Sequence, residues 1–295
     1  MLEMLLITSR NTSSGPSSSF ALAAGGIAAS TTTASSDTYE FSTATVAGGS
    51  NLGTARNTLA GAGNSTQAVY SGGGNNSTAT DRYAYATHAV TTGTNLPQGR
   101  DAHVAVSNET RAIFCGGQVT STTVSTVNNY THSSQTWASG INLNAVRRQG
   151  AGTANTTTGY ITGGANTVNL KTTEKINLST RAVSNGTDLS QVRTNFAGAS
   201  SPTIALFGGG LSSTTTGIVE RYTYADDTVA LGTVLSGRRA SGAAASVVDH
   251  AIFIAGTAIA DTENYVFATD VRTMSTALQA IRYSTQATST AAGGL

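Results

Sequence analysis

"AIFCGGQ", residues 112–118, sets the only cysteine of the chain, Cys115, against a pair of glycines. By itself the stretch has two readings: a reactive thiol on a glycine-rich loop, or a small residue filling a structural slot. Recurrence decides between them. "AVYSGG" (68–73), "GYITGG" (159–164) and "ALFGGG" (205–210) repeat the same dense apolar run ending in two glycines. Fifteen residues after a recurring arginine stand Gly25, Ser71, Cys115, Thr162, Gly208 and Ile254, so Cys115 occupies a repeat slot that mostly holds small residues.

The arginines are Arg10, Arg56, Arg100, Arg147, Arg193, Arg239 and Arg282, with gaps of 46, 44, 47, 46, 46 and 43 residues. Four residues before each is a leucine: Leu6, Leu52, Leu96, Leu143, Leu189, Leu235 and Leu278. The glycine pairs Gly72-Gly73, Gly116-Gly117, Gly163-Gly164 and Gly209-Gly210 follow sixteen residues after an arginine; Gly25-Gly26 is displaced by one, and Ala255-Gly256 keeps one glycine. Asp37, Asp81, Asn128, Glu174, Glu220 and Glu263 stand 19 residues before the next arginine, each two residues ahead of Tyr39, Tyr83, Tyr130, Ile176, Tyr222 or Tyr265. All length variation lies between arginine and acid. Internal periodicity of this kind is the signature of a repeat architecture.

Each unit reads as four short strands. "HVAV" (103–106) is small and apolar, the glycine-terminated run is the second strand, "VERYTYA" (219–225) alternates with a period of two, and "WASGINL" (137–143) ends at the leucine. Nothing shows a helical period. Four-stranded units of 43 to 47 residues arranged in a ring make a β-propeller. The expectation is one all-β domain over residues 1–295, with repeats at 10–55, 56–99, 100–146, 147–192, 193–238 and 239–281 and closing segments 1–9 and 282–295. Six blades are expected, with seven as the alternative, and the closing blade is shared between both ends of the sequence.

The pattern resembles the kelch repeat, whose marks are a strand ending in double glycine, a spaced tyrosine and then a tryptophan. Gly116-Gly117, Tyr130 and Trp137 match all three; Val46, Val90, Val183 and Val229 replace the tryptophan in other units. The resemblance implies a propeller used as a binding scaffold. A copper oxidase on a kelch-like propeller uses a cysteine-linked tyrosine, but the repeat slot of Cys115 gives no reason to carry that chemistry over.

The landmarks themselves have structural readings. Paired glycines permit positive φ and close backbone approach, and the tyrosines supply buried area with a hydroxyl for a polar partner. Arg56, Arg100, Arg147, Arg193 and Arg239, in phase with Glu174, Glu220 and Glu263, read as ion pairs stitching one blade to the next. A catalytic residue is needed once; these recur in every unit.

Little catalytic chemistry remains. His88, His103, His132 and His250 are the only histidines and show no metal-ligand spacing, so no metal, cofactor or catalytic residue is expected. Asp226, Asp227, Asp249 and Asp261 are loose loop acids, and the expectation is no enzyme. Charged residues make up 11% of the chain, its formal net charge is +1, and Lys171 and Lys175 are its only lysines. That balance offers no footprint for nucleic acid, and no apolar run is long enough for membrane insertion. One cysteine excludes an internal disulfide. The N-terminus carries no recognisable signal peptide, and Asn64-Ser65-Thr66 and Asn108-Glu109-Thr110 are acceptor triplets at the frequency expected by chance.

The connections between second and third strands vary most and are nearly uncharged. Asn75, Asn76, Thr122, Thr123, Asn166, Asn169, Ser212 and Ser213 are the candidate binding residues on them. Low charge, few lysines and abundant Ser, Thr, Gly, Ala and Asn resemble bacteriophage virion proteins. That profile implies a multi-copy tail, fibre or capsid-associated component, assembled in the host cytoplasm, whose partners are other virion proteins, a host-surface glycan or a receptor. A cellular or secreted kelch-type binding protein, cytoplasmic or extracellular, is the alternative.

Overall fold

A computed structural model describes residues 19–257, 259–279, 281–284 and 286–289. Among them are six four-stranded antiparallel sheets and no helix. Arg10, Leu6 and the closing segment 1–9 lie outside the described residues.

The sheets are the blades of a six-bladed β-propeller. Blade 2 shows the plan: Ala60–Gly63, Gln67–Ser71, Thr80–Ala84 and Ala89–Thr92 pair in chain order from the axis outward. Blade 3 is Val104–Ser107, Arg111–Cys115, Val127–Thr131 and Thr136–Ser139; blade 4 is Ala151–Ala154, Thr158–Thr162, Thr173–Asn177 and Val183–Gly186. Blade 5 runs Ala197–Ser200, Ile204–Gly208, Val219–Thr223 and Thr228–Leu231, and blade 6 runs Ala243–Ser246, His250–Gly256, Ile259–Val266 and Val271–Ser275. Blade 1 breaks chain order: Gln286–Ser289 pairs with Phe20–Ala24, which leads to Ser36–Glu40 and Thr45–Gly48. The closing blade therefore joins both ends of the sequence, and the ring holds six blades.

The second strand of each blade is buried on both faces, which is why it reads as an unbroken apolar run: Ala112, Ile113, Phe114 and Cys115 are all fully buried. The outermost strands are short and mostly exposed, a common defence of a free edge. The fourth strand also ends earlier than its sequence suggests. In blade 3 it stops at Ser139, and Leu143 is a buried residue of the connection that follows.

That connection explains the Leu-to-Arg spacing. It crosses back over its own blade, Leu143 N–H donating to the Ser125 carbonyl at 3.0 Å and Arg147 N–H to the Val124 carbonyl at 3.2 Å. The Arg147 carbonyl then accepts from Gly117 N–H at 2.8 Å. Gly116 and Gly117 both hold positive φ, 64° and 98°; the arriving Arg147 carbonyl leaves no room for a side chain at the first, and the Asp101 carbonyl and His103 leave none at the second.

While its main chain stays on the preceding blade, the arginine side chain enters the following one. Arg147 Nη1 donates to the Gly163 carbonyl at 2.8 Å, and Nη2 pairs with Glu174 at 2.7 Å. Glu174 also accepts from Asn144 N–H at 2.5 Å, on the incoming connection. Arg56–Asp81, Arg193–Glu220 and Arg239–Glu263 repeat the arrangement, and Arg282–Asp37, at 2.6 Å, closes it across the two ends of the sequence. The constant 19-residue spacing is thus not the contact. Each of these arginines meets the acid on its far side, across the segment of variable length, while Arg100 meets Asn128 in the same slot; the constant interval only measures an invariant path.

Candidate binding face

Two sets of loops share one end of the disc: the crossing connections and the variable loops they lie over. At the centre of that end, the second residue after each arginine is Thr58, Ala102, Gln149, Asn195, Ser241 or Ser284. All six have a left-handed backbone, with φ between 49° and 59°. Each N–H donates to the carbonyl of its predecessor around the ring: Ala102 to Thr58 at 2.8 Å, Gln149 to Ala102 at 2.7 Å, Asn195 to Gln149 at 2.8 Å. Ser241 to Asn195 and Ser284 to Ser241, both 2.7 Å, and Thr58 to Ser284 at 3.2 Å complete a closed circle of hydrogen bonds. Left-handed non-glycine residues cost of order 1 kcal/mol each and persist where surrounding structure fixes them. Here the circle fixes them. No shared residue type marks the slot, so sequence reading missed it.

At the far end of the axis side chains link neighbouring blades. Seven residues after their arginines, the hydroxyls of Ser107, Ser200 and Ser246 donate to the carbonyls of Gly63, Ala154 and Ser200 at 2.6, 2.9 and 2.7 Å. One residue further, Asn64, Asn108 and Asn155 cap the hairpin turns; the Asn64 carboxamide oxygen accepts from Thr66 N–H and Gln67 N–H, both at 2.9 Å. The acceptor-like triplets at Asn64 and Asn108 are therefore turn chemistry.

The candidate loop residues differ in what they can offer a partner. Asn76 Oδ1 accepts from Thr120 N–H at 2.8 Å, and Asn169 Nδ2 donates to the Ser212 carbonyl at 3.3 Å, so both tie one blade's loop to the next. Asn166 caps its own turn, accepting from Val168 N–H at 2.9 Å. Asn75 is exposed with φ of 63°, Thr122 and Thr123 form a small hairpin with Gln118 and Val119, and Ser213 is exposed at a loop tip. Asn75, Thr122 and Ser213 are thus the exposed members of the set. An apolar strip was not anticipated: Val146, Val168, Val192 and Leu211, all exposed, occupy this end at blades 4 and 5. The face also carries more charge near its centre than the loops alone suggest, through Asp101 and Arg148. Burial raises the Asp101 carboxyl above the usual range, and Arg148 opposes that.

The remaining titratable groups are built into the framework. The Cys115 thiol is fully buried and pushed up to about 12 by burial, so it is a poor nucleophile. His132 is buried in the slot held elsewhere by Phe41, Tyr85 and Tyr224, and burial lowers it to about 4. His88 Nδ1 lies 2.6 Å from the Tyr83 hydroxyl, and His250 pairs with Asp249 at 2.9 Å. Asp227 is not a loose acid: it bonds the Tyr222 hydroxyl and pairs with Lys175 of the preceding blade at 2.9 Å. Among the described residues no three His, Cys, Asp or Glu side chains gather as a metal site would require, and no helix is long and apolar enough to cross a membrane.

Compared with known proteins, the chain matches no family model and no curated relative.

Proposed function

We propose that this propeller is a non-enzymatic binding and structural module of kelch type, serving in a bacteriophage particle as a structural, tail or fibre attachment protein. It meets neighbouring virion proteins or a host-surface glycan through its variable face, in many copies per particle.

The observation that carries the reading is that face itself. A hydrogen-bonded ring and the crossing connections hold it in place, while the loops above them offer hydroxyls and amides with few charges. Preorganisation of that kind spares a binding partner the entropy of ordering loops. Exposed Val146, Val168, Val192 and Leu211 add the apolar component of a protein contact. The composition supports the particle setting: charged residues make up only 11% of the chain and Lys171 and Lys175 are its only lysines, a profile resembling virion proteins.

Mass spectrometry of purified particles from the source culture tests the setting. Co-purification in fixed stoichiometry is expected; absence from clean particles would overturn it and favour the cellular or secreted kelch-type binding protein, for which a glycan array is the next assay. The double substitution Val168→Asp with Leu211→Asp is expected to cut particle incorporation at least several-fold without lowering the unfolding midpoint.

A further inference from the structure

The ring has six arginine positions, and the sequence holds seven repeat arginines. The position facing blade 1 is taken by Arg282, which pairs with Asp37 at 2.6 Å and donates to the Ser35 carbonyl at 3.0 Å. Yet Asp37 stands 27 residues after Arg10, the interval that separates Arg147 from Glu174 and Arg193 from Glu220. The match runs on through residues 6–18, which lie outside the described residues. Leu6 keeps the leucine slot, and Arg10-Asn11-Thr12 repeats Arg56-Asn57-Thr58. Gly15 falls in the fifth slot after the arginine, held elsewhere by Gly61, Ala105, Gly152, Gly198, Ala244 and Ala287. Ser17 falls in the slot of Ser107, Ser200, Ser246 and Ser289.

The place this motif matches is the seam of the ring. There the C-terminal element closes blade 1: Leu278 is buried with its N–H on the Ala260 carbonyl, and Gln286–Ser289 pairs with Phe20–Ala24. Thr288 anchors it, buried and 3.0 Å from the Tyr70 hydroxyl. Each other inner strand is joined to its second strand by a four-residue loop, as at residues 64–67, whereas this one arrives from the opposite end of the sequence. The seam is also where the ring bonds are longest. Thr58 N–H meets the Ser284 carbonyl at 3.2 Å, against 2.7–2.8 Å elsewhere in the circle. Gly256 N–H meets the Arg282 carbonyl at 3.3 Å, against 2.7–2.9 Å where the other arginine carbonyls arrive.

We propose that residues 6–18 are a second closing element for blade 1, interchangeable with the C-terminal one. In that arrangement Arg10 takes Asp37, Thr12 enters the circle of left-handed residues, and residues 14–17 pair with Phe20–Ala24, so that blade 1 follows sequence order like the other five. Ser17 opposite Ala21 leaves a three-residue hairpin loop, a common length. Pro16 explains why the C-terminal element prevails: it would stand opposite Leu22 in the place of Thr288, with no N–H for the ladder. The consequence is a propeller whose C-terminal arm, from Leu278 onward, can leave without opening the ring.

The test is amide hydrogen exchange of the full chain, read by mass spectrometry at residues 14–17 and at residues 286–289. In Arg282→Ala the N-terminal element is expected to take over, with exchange slowed by about tenfold or more at residues 14–17 and quickened by as much at residues 286–289. Adding Arg10→Ala to that variant is expected to abolish the new protection and lower the unfolding midpoint further, whereas Arg10→Ala alone leaves the midpoint unmoved. Pro16→Ala keeps every ring arginine and folds with either element in place; it is expected to move protection in the same direction. Residues 14–17 exchanging without protection in both Arg282→Ala and Pro16→Ala would overturn the proposal. So would a double variant whose protection and midpoint equal those of Arg282→Ala.

Discussion

Blades 3 and 5 share a backbone plan and differ in the charge they bury. In blade 5, Arg193 and Glu220 are both fully buried and paired, and Ser190 N–H adds a bond to the carboxylate at 2.6 Å. In blade 3, Arg100 is equally buried, but its partner is the amide of Asn128. The connections still cross, the glycine pairs still receive the arginine carbonyls, and the register of the sheet is unchanged. Geometry therefore tolerates the neutral partner, and the carboxylate is there to compensate charge. A buried ion pair is weak evidence for stability when both partners could be replaced, yet removing one partner is expensive. Blade 3 has removed one and retained a hydrogen-bond acceptor in its place.

The comparison breaks most severely if blade 5 loses its acceptor entirely. Glu220→Ala leaves the Arg193 charge buried without a partner and is expected to cost about 3–5 kcal/mol in chemical denaturation. A change under 1 kcal/mol would show that water or a rearranged neighbour replaces the carboxylate.

His132 of blade 3 sets up the next contrast, since blade 5 has Tyr224 in that slot. The folded-state value of His132, about 4, lies below the ordinary 6.5, so the unfolded chain takes up its proton first as pH falls. The stability it contributes is complete above pH 6.5 and lost between pH 6.5 and pH 4, amounting to about 3 kcal/mol. His132→Phe, the residue type found at Phe41, is expected to flatten that acid slope; an unchanged slope would assign it to other groups.

The smallest expected effect concerns a feature all blades share. Ala44, His88, Gln135, Arg181, Asp227 and Asp270 occupy one left-handed position in the turn before the fourth strand. In blade 5 the residue there earns its strain through Tyr222 and Lys175, whereas Ala44 has no side-chain group to do so. Ala44→Gly is expected to stabilise by up to about 1 kcal/mol, while Asp227→Gly destabilises. Equal responses at the two sites would remove the distinction.

The sequence disclosed those parts of the fold that depend on side-chain identity. Double glycine, the arginine, the buried leucine and the tyrosine are each demanded by a particular contact, and their phase gave the blade plan but left six or seven blades open; the pairing of Gln286–Ser289 with Phe20–Ala24 closes the ring at six. What it concealed was set by the main chain. The circle through Thr58, Ala102, Gln149, Asn195, Ser241 and Ser284 uses only N–H and C=O groups, so six positions in one rare conformation share no residue type. The ion pairs were visible as components but not as partners, because the eye follows the invariant 19-residue interval and the contact spans the variable one. On the candidate face, Asn75 and Thr122 were legible as loop residues, but the loop-to-loop bonds of Asn76 and Asn169 depend on neighbours about 43 residues away. The strip around Val168 was hidden because isolated valines in a strand-rich sequence look like core.

The central claim is that the acid slot supplies charge compensation to an arginine contact between blades whose geometry is already complete without it. Unfolding of Asn128→Asp by urea at pH 7 and low ionic strength tests this most directly. A stabilisation of about 1–2 kcal/mol is predicted, the scale of a hydrogen bond gaining charge on both sides. A neutral or destabilising outcome would contradict it, and would mean that blade 3 holds the Arg100 charge by some other means.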